Sequence, residues 1–243
     1  IGYGVCFANM GRRGVVGVNV ENGEEVWRCR EALASGDLGS PALAKGLHVQ
    51  GGSGVSNVYA ASVRTERVQW LGGIPGYSVH NTAAVSDGFV YVGTTRGEPG
   101  LAAFRLKDGK RLWRTYVEPH RDKEDRRDVH CSPSVWDGKV YLGCDSGFLY
   151  VLNAETGEHL WKFETGGAVR SCPALSRGLA YVGSYDGSVY AIDARTGEER
   201  WRFATRGAIA SSPFLTDGVL YIGSDDGHLY ALTGPGADPL ETR

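Results

Sequence analysis

No stretch of this sequence stays apolar for the ~20 residues a membrane-spanning helix needs, so no transmembrane segment is expected. Charge of one sign is also missing. The 26 basic and 28 acidic side chains leave a net charge of −2, with a pI near 6.3. That balance gives no electrostatic footprint for nucleic acid or for an anionic membrane surface. Nine prolines among 243 residues argue against a disordered linker. The five cysteines include no adjacent pair, and their odd number leaves at least one thiol unpaired within the chain, which favours a reducing compartment. The sequence opens at Ile1 without Met or a signal peptide, so the expectation is a processed or truncated product. Short catalytic signatures are absent too: there is no nucleophile elbow, phosphate-binding glycine loop or zinc-ligand spacing.

Glycine, at 36 residues, is plentiful, and its placement is periodic. Residues 129–161, 169–201 and 209–233 carry one pattern at an interval of forty. Gly138, Gly178 and Gly218 coincide under that shift, as do Tyr141, Tyr181 and Tyr221, and Tyr150, Tyr190 and Tyr230. A repeat of this length marks an array of one supersecondary unit. Within the unit, Asp-Gly pairs such as Asp137-Gly138 separate apolar runs, the strongest short hairpin signal. Runs such as KVYLG and FLYVL are rich in aromatic and β-branched residues and are strand-length, too short for helices. Four short strands per repeat predict an all-β chain, a β-propeller of four-stranded antiparallel blades.

The rest of the chain continues the pattern less cleanly. Trp27, Trp70, Trp113, Trp161 and Trp201 close one turn motif, so a large ring at a fixed place in each blade is expected to pack against the next. Trp136 lies outside this series, in a turn. The count is six repeats, at about 1–36, 37–77, 78–127, 128–168, 169–208 and 209–243, forming a single domain in a closed or nearly closed ring. The first repeat lacks its inner strand, leaving an edge before Tyr3 that invites association. The last has only a weak outer strand, at Pro239–Arg243.

The motif YxGSxDGxxYAL with a following TG and Trp resembles the PQQ-like repeat of tryptophan-docking propellers. That family includes quinoprotein alcohol dehydrogenases and the propeller lipoprotein of the outer-membrane barrel-assembly machinery. The resemblance covers nearly the whole chain. It implies the fold more than the function, because motif residues build the blade. It also points to the cell envelope, whereas the cysteines point to a reducing compartment. The dehydrogenases are much longer and carry an adjacent cysteine pair that stacks on the quinone PQQ; no Cys-Cys occurs here. PQQ with calcium is therefore not supported by motif, and Glu98, Asp145 and Asp225 sit on separate repeats, where calcium would need convergent oxygens.

Bottom turns are short in every repeat. The irregular segments, GGSG, TTRGEPG and the charged loop at 118–128, all fall on the opposite rim, which makes that rim the candidate binding face. There the inner strands begin with His80, His130, Arg170 and Ala210, followed by Asn81, Cys131, Ser171 and Ser211. Two readings stand for this set. It is a site for a polar or anionic ligand (or a metal held by His80, His130 and Cys131), or it hydrogen-bonds to neighbouring backbone. Cys131 and Cys144 fall opposite each other on adjacent strands, either as a strained disulfide or as two buried thiols. The function expected is a non-catalytic binding or scaffold propeller that presents this rim to a protein partner or small polar ligand. The alternative is a PQQ-dependent oxidoreductase or another enzyme with its site at the channel mouth.

Overall fold

In the fourth repeat, Asp137 and Gly138 both take positive φ, 49° and 67°. This is the tight hairpin geometry that a β-carbon opposes and glycine accepts freely. The turn fixes the register: Trp136 faces Lys139, Val135 faces Val140 and Ser134 faces Tyr141. Asp87-Gly88, Arg177-Gly178 and Asp217-Gly218 repeat the same backbone. A computed structural model of the chain describes residues 4–10, 14–30, 39–52, 58–75, 77–95, 99–117 and 129–233.

Every assigned element among these residues is a strand. The fourth repeat forms an antiparallel meander of Ser134–Trp136, Lys139–Gly143, Phe148–Asn153 and His159–Glu164. A β-bulge interrupts its outer pair: Trp161 opposes Val151 and His159 opposes Leu152, so Leu160 is the extra residue. The same bulge precedes Trp27, Trp70, Trp113 and Trp201. Bulges twist the strand that carries them, and each docking tryptophan sits beside one.

Six such sheets follow one another, at residues 5–29, 42–72, 84–116, 134–164, 174–204 and 214–233. Four sheets have four strands; the first and last have three. The first has no inner strand among the described residues. The outer strand expected at 239–243, the loop at 118–128 and parts of the GGSG and TTRGEPG turns lie outside the described residues. The inner strands of the second to sixth sheets abut in chain order, which gives the propeller its axis.

The hydrophobic core lies between sheets, not within them. Tyr91 and Leu101 of the third sheet cluster with Leu142 and Tyr150 of the fourth. Tyr141 and Leu149 of the fourth cluster with Val182 and Ile192 of the fifth. Three hydrogen bonds also lock neighbours together. Trp70 Nε1 donates to the Leu106 carbonyl at 2.7 Å, while Trp113 Nε1 and Tyr91 Oη both donate to that of Ala154, at 3.2 and 3.1 Å. The Trp113 ring lies so close to Gly157 that a β-carbon there would come within 2.6 Å of it. The periodic tryptophans are packing residues, whereas Trp136, expected in a turn, ends the inner strand Ser134–Trp136 and is 38% exposed.

Closure of the ring does not hold among the described residues. Six sheets share five hydrophobic clusters, one at each junction from first–second to fifth–sixth. Leu229 of the sixth sheet is 74% exposed, although Leu149 and Val189, at the same position in the two preceding sheets, are fully buried. The count of turn motifs predicts the number of blades correctly. Closure depends in addition on the rotation between blades, which no single repeat encodes.

Candidate functional site

The residues expected at the channel mouth divide into two sets. Asn81, Cys131, Ser171 and Ser211 turn into their own sheets. Asn81 Nδ2 donates to the Gly93 carbonyl at 3.0 Å, and its Oδ1 accepts from the Gly93 N–H at 3.1 Å. Cys131 Sγ lies 3.0 Å from the nitrogen and 3.2 Å from the oxygen of Gly143. Ser171 Oγ accepts from Gly183 N–H at 2.7 Å, and Ser211 Oγ bonds both polar groups of Gly223, at 2.7 and 3.0 Å. The cause is local. Each second strand outruns the inner strand that pairs with it, so the glycine near its end pairs with the third strand but has no ladder partner on the inner side, and buried backbone groups need one. In the second repeat Gly39 has no side chain for this task, and Gln50 reaches back from the second strand to the Gly39 carbonyl.

A second series, which sequence reasoning did not single out, lies one position further on. The amide of Ser40 donates to Thr82 Oγ1, that of Thr82 to Ser132 Oγ, that of Ser132 to Cys172 Sγ, and that of Cys172 to Ser212 Oγ. Each hydroxyl or thiol serves the preceding sheet. The run of Ser, Thr or Cys at the forty-residue spacing was the available signal.

His80, His130 and Arg170 remain at the rim. Arg170 is tied down: its Nε and Nη2 bind the two carboxylate oxygens of Asp145 at 2.8 Å each, and Nη1 contacts Tyr185 Oη at 3.3 Å. Asp145 is buried and belongs to the preceding sheet, so the pair spans a blade junction. The bidentate bond holds the Arg170 guanidinium well above its usual pKa range. His130 Nε2 lies 3.6 Å from the same carboxylate. Asp145 and Tyr185 occupy the same turn position, forty residues apart, so their place at the rim was legible from the repeat, whereas their bonds to Arg170 were not. All five cysteines are free thiols. Burial pushes the Cys131 thiol well above its usual pKa, so it behaves as a neutral packing group.

These donors do not fit a quinone with calcium. A tricarboxylate needs uncommitted cations, and the one guanidinium that leads into an inner strand already holds a buried carboxylate. Among the described residues no three His, Cys, Asp or Glu side chains converge in a way that could hold a metal.

The family model described as outer membrane protein assembly factor BamB matches residues 3–150 and 145–237. The chain belongs to this family of PQQ-like repeat propellers. Among individual relatives of this PQQ-like chain, an outer membrane protein assembly factor BamB of Xanthomonas campestris pv. campestris is 34% identical over 97 residues, covering 39% of this chain and 23% of that protein. A quinoprotein ethanol dehydrogenase of Pseudomonas aeruginosa is 33% identical over 124 residues, covering 48% and 19%. The chain thus spans less than a quarter of the length of these curated relatives. In fold it is similar to the crystal structure of BamB from Moraxella catarrhalis, with a TM-score of 0.72 and 18% identity, over 96% of this chain and 70% of that one.

Proposed function

We propose that this PQQ-like repeat chain is a non-catalytic binding propeller that works outside the cytoplasm in the assembly of outer-membrane proteins. It presents the rim that carries His80, His130 and Arg170 to a protein partner. The observation that carries this reading is the assembly-factor family match along nearly the whole chain. The chemistry of the rim supports it. The polar side chains that follow His80, His130 and Arg170 are absorbed in holding the blades, and the charge of Arg170 is neutralised by Asp145, which leaves a shaped, half-exposed polar surface. Such surfaces suit protein docking through several modest contacts.

The test is complementation. Cells lacking the protein should hold less folded β-barrel protein in their outer membranes, and the wild-type gene should restore it. The triple variant His80→Ala, His130→Ala, Arg170→Ala should fold cooperatively and restore it poorly. Full restoration by that variant would remove the rim from the proposal. PQQ- and calcium-dependent reduction of a dye by an alcohol would overturn the non-catalytic reading itself.

A further inference from the structure

Cys131 and Cys172 meet because two series of side chains face in different directions. The position after each rim residue serves its own sheet: Asn81, Cys131, Ser171 and Ser211 bind a glycine of the second strand beside them. The next position serves the preceding sheet, as Ser132 does for Thr82 and Cys172 for Ser132. A member of the first series therefore shares a blade junction with a member of the second series from the following repeat. Between the third and fourth sheets the pair is Asn81 and Ser132, and between the fifth and sixth it is Ser171 and Ser212. Between the fourth and fifth, both members are thiols.

The two thiols are close. Cys172 Sγ lies 3.1 Å from the Ser132 nitrogen, which is bonded to the carbonyl carbon of Cys131. Standard bond lengths then put that sulfur at most about 6 Å from Cys131 Cα. Both side chains pack in one hydrophobic cluster, together with Cys144. A disulfide asks for such proximity, its two Cα atoms usually lying ~4.4–6.8 Å apart. Access separates the three. Cys131 and Cys144 are buried, whereas Cys172 is half-buried, two residues after Arg170.

We propose that Cys131 and Cys172 are a redox-active dithiol that closes to a disulfide across the blade junction by exchange with a small-molecule disulfide. Cys172, the reachable sulfur, reacts first as its thiolate. It bonds to one sulfur of the external disulfide and releases the other, which picks up the proton that Cys172 lost. Burial opposes ionisation of Cys131, so on its own this thiol stays neutral and inert. It takes the second step, in which its sulfur attacks Cys172 Sγ, expels the remaining external sulfur and passes its proton to it. Two protein thiols are oxidised to one disulfide, and the external disulfide is reduced to two thiols. Closure withdraws Cys131 Sγ from Gly143 and Cys172 Sγ from the Ser132 amide. His130 and Arg170, which share Asp145, lie beside the new bond, so oxidation reshapes the rim at its ion pair. The proposal rests on the geometry of this junction and is independent of the assembly role.

The experiment treats the full chain with oxidised glutathione in native buffer, blocks the remaining thiols and maps the peptides. The parent should yield a reducible peptide pair that joins Cys131 to Cys172. Cys131→Ser should stop at a glutathione adduct on Cys172. Cys172→Ser should slow loss of the Cys131 thiol at least tenfold. Both variants place serine where other repeats carry it, at Ser171 and Ser132, and cooperative thermal melts check that they fold. In the parent, hydrogen exchange at the Ser132 and Gly143 amides should quicken at least tenfold on oxidation and recover with dithiothreitol, a readout that needs no variant. A bridge from Cys131 to Cys144, a Cys172 that stays free, or equal loss of the Cys131 thiol with and without Cys172 would overturn the proposal.

Discussion

The junction between the third and fourth sheets and that between the first and second share one plan but differ in how their polar atoms are settled. In the former, the Tyr91 and Trp113 rings meet at a tilt of 43° with centroids 6.0 Å apart, and both donate to the Ala154 carbonyl, so an apolar seam carries its own hydrogen bonds. In the latter, Trp27 is buried to 5% exposure, and its indole nitrogen has no partner among the described residues. Beside it lies His48, fully buried among Phe7, Trp27 and Tyr59, with neither ring nitrogen hydrogen-bonded among the described residues. His48 occupies the strand position of Val90 and Val140. The first junction therefore keeps its volume and its aromatic packing while losing its polar partners. Shape is the stricter requirement at a blade junction, and hydrogen bonding is added where a repeat retains its tyrosine.

Four measurements bear on that contrast. The largest effect is expected at Trp113→Ala, which should cost ~3–5 kcal/mol in chemical denaturation, as other large-to-small core changes do. Trp27→Ala should cost less, by about the 0.5–1.5 kcal/mol net worth of one hydrogen bond, although its ring is the better buried of the two. Equal costs would mean that the indole bond contributes nothing.

Acid should act next, and through the weaker junction. Burial lowers the pKa of His48 from 6.5 to about 4. The unfolded chain therefore takes up a proton below pH 6.5 that the folded protein refuses until about pH 4. Stability is full above pH 6.5 and falls across that window, by ~3 kcal/mol at most, at ~1.4 kcal/mol per unit. His48→Val, which introduces the residue of the third and fourth sheets, should flatten this dependence. A variant as acid-sensitive as the parent would place the sensitivity elsewhere.

A third pair compares a sealed face with the open one. Gly183→Ala forces a β-carbon onto Ile209 and should cost ~1–3 kcal/mol, as overpacking does. Gly223→Ala meets nothing closer than 3.5 Å and should stay within ~0.5 kcal/mol of the parent. The smallest loss from a buried contact is expected at Tyr91→Phe, which removes only the hydroxyl bond to Ala154 and should lower stability by ~1 kcal/mol. A neutral result there would show that Trp113 alone holds that carbonyl.

Much of the fold was legible because its determinants are local. Asp137-Gly138 sets a hairpin register by its own dihedrals, and a forty-residue spacing survives in the sequence wherever a blade survives. The candidate site was legible only as a set of positions. His80, His130 and Arg170 lie four residues before the inner strands rather than at their first residues, and Asn81, Cys131, Ser171 and Ser211, next to them in sequence, turn the other way to serve glycines of the second strands. Alternation along an extended backbone made that split available. The partners could not be read, because Asp145 and Arg170 are 25 residues apart and meet across a junction.

The sequence by itself determined the blade, the number of blades and the residues that pack one against the next, since each depends on turns and periodicities contained within about forty residues. Only the tertiary structure decided that the cation at Arg170 is spent on Asp145, and that, among the described residues, His48 is sealed without a hydrogen bond and the sixth sheet is left uncovered. Those outcomes depend on the angle and separation between neighbouring sheets. That geometry is fixed by side-chain packing summed over a whole junction, and no single repeat spells it out.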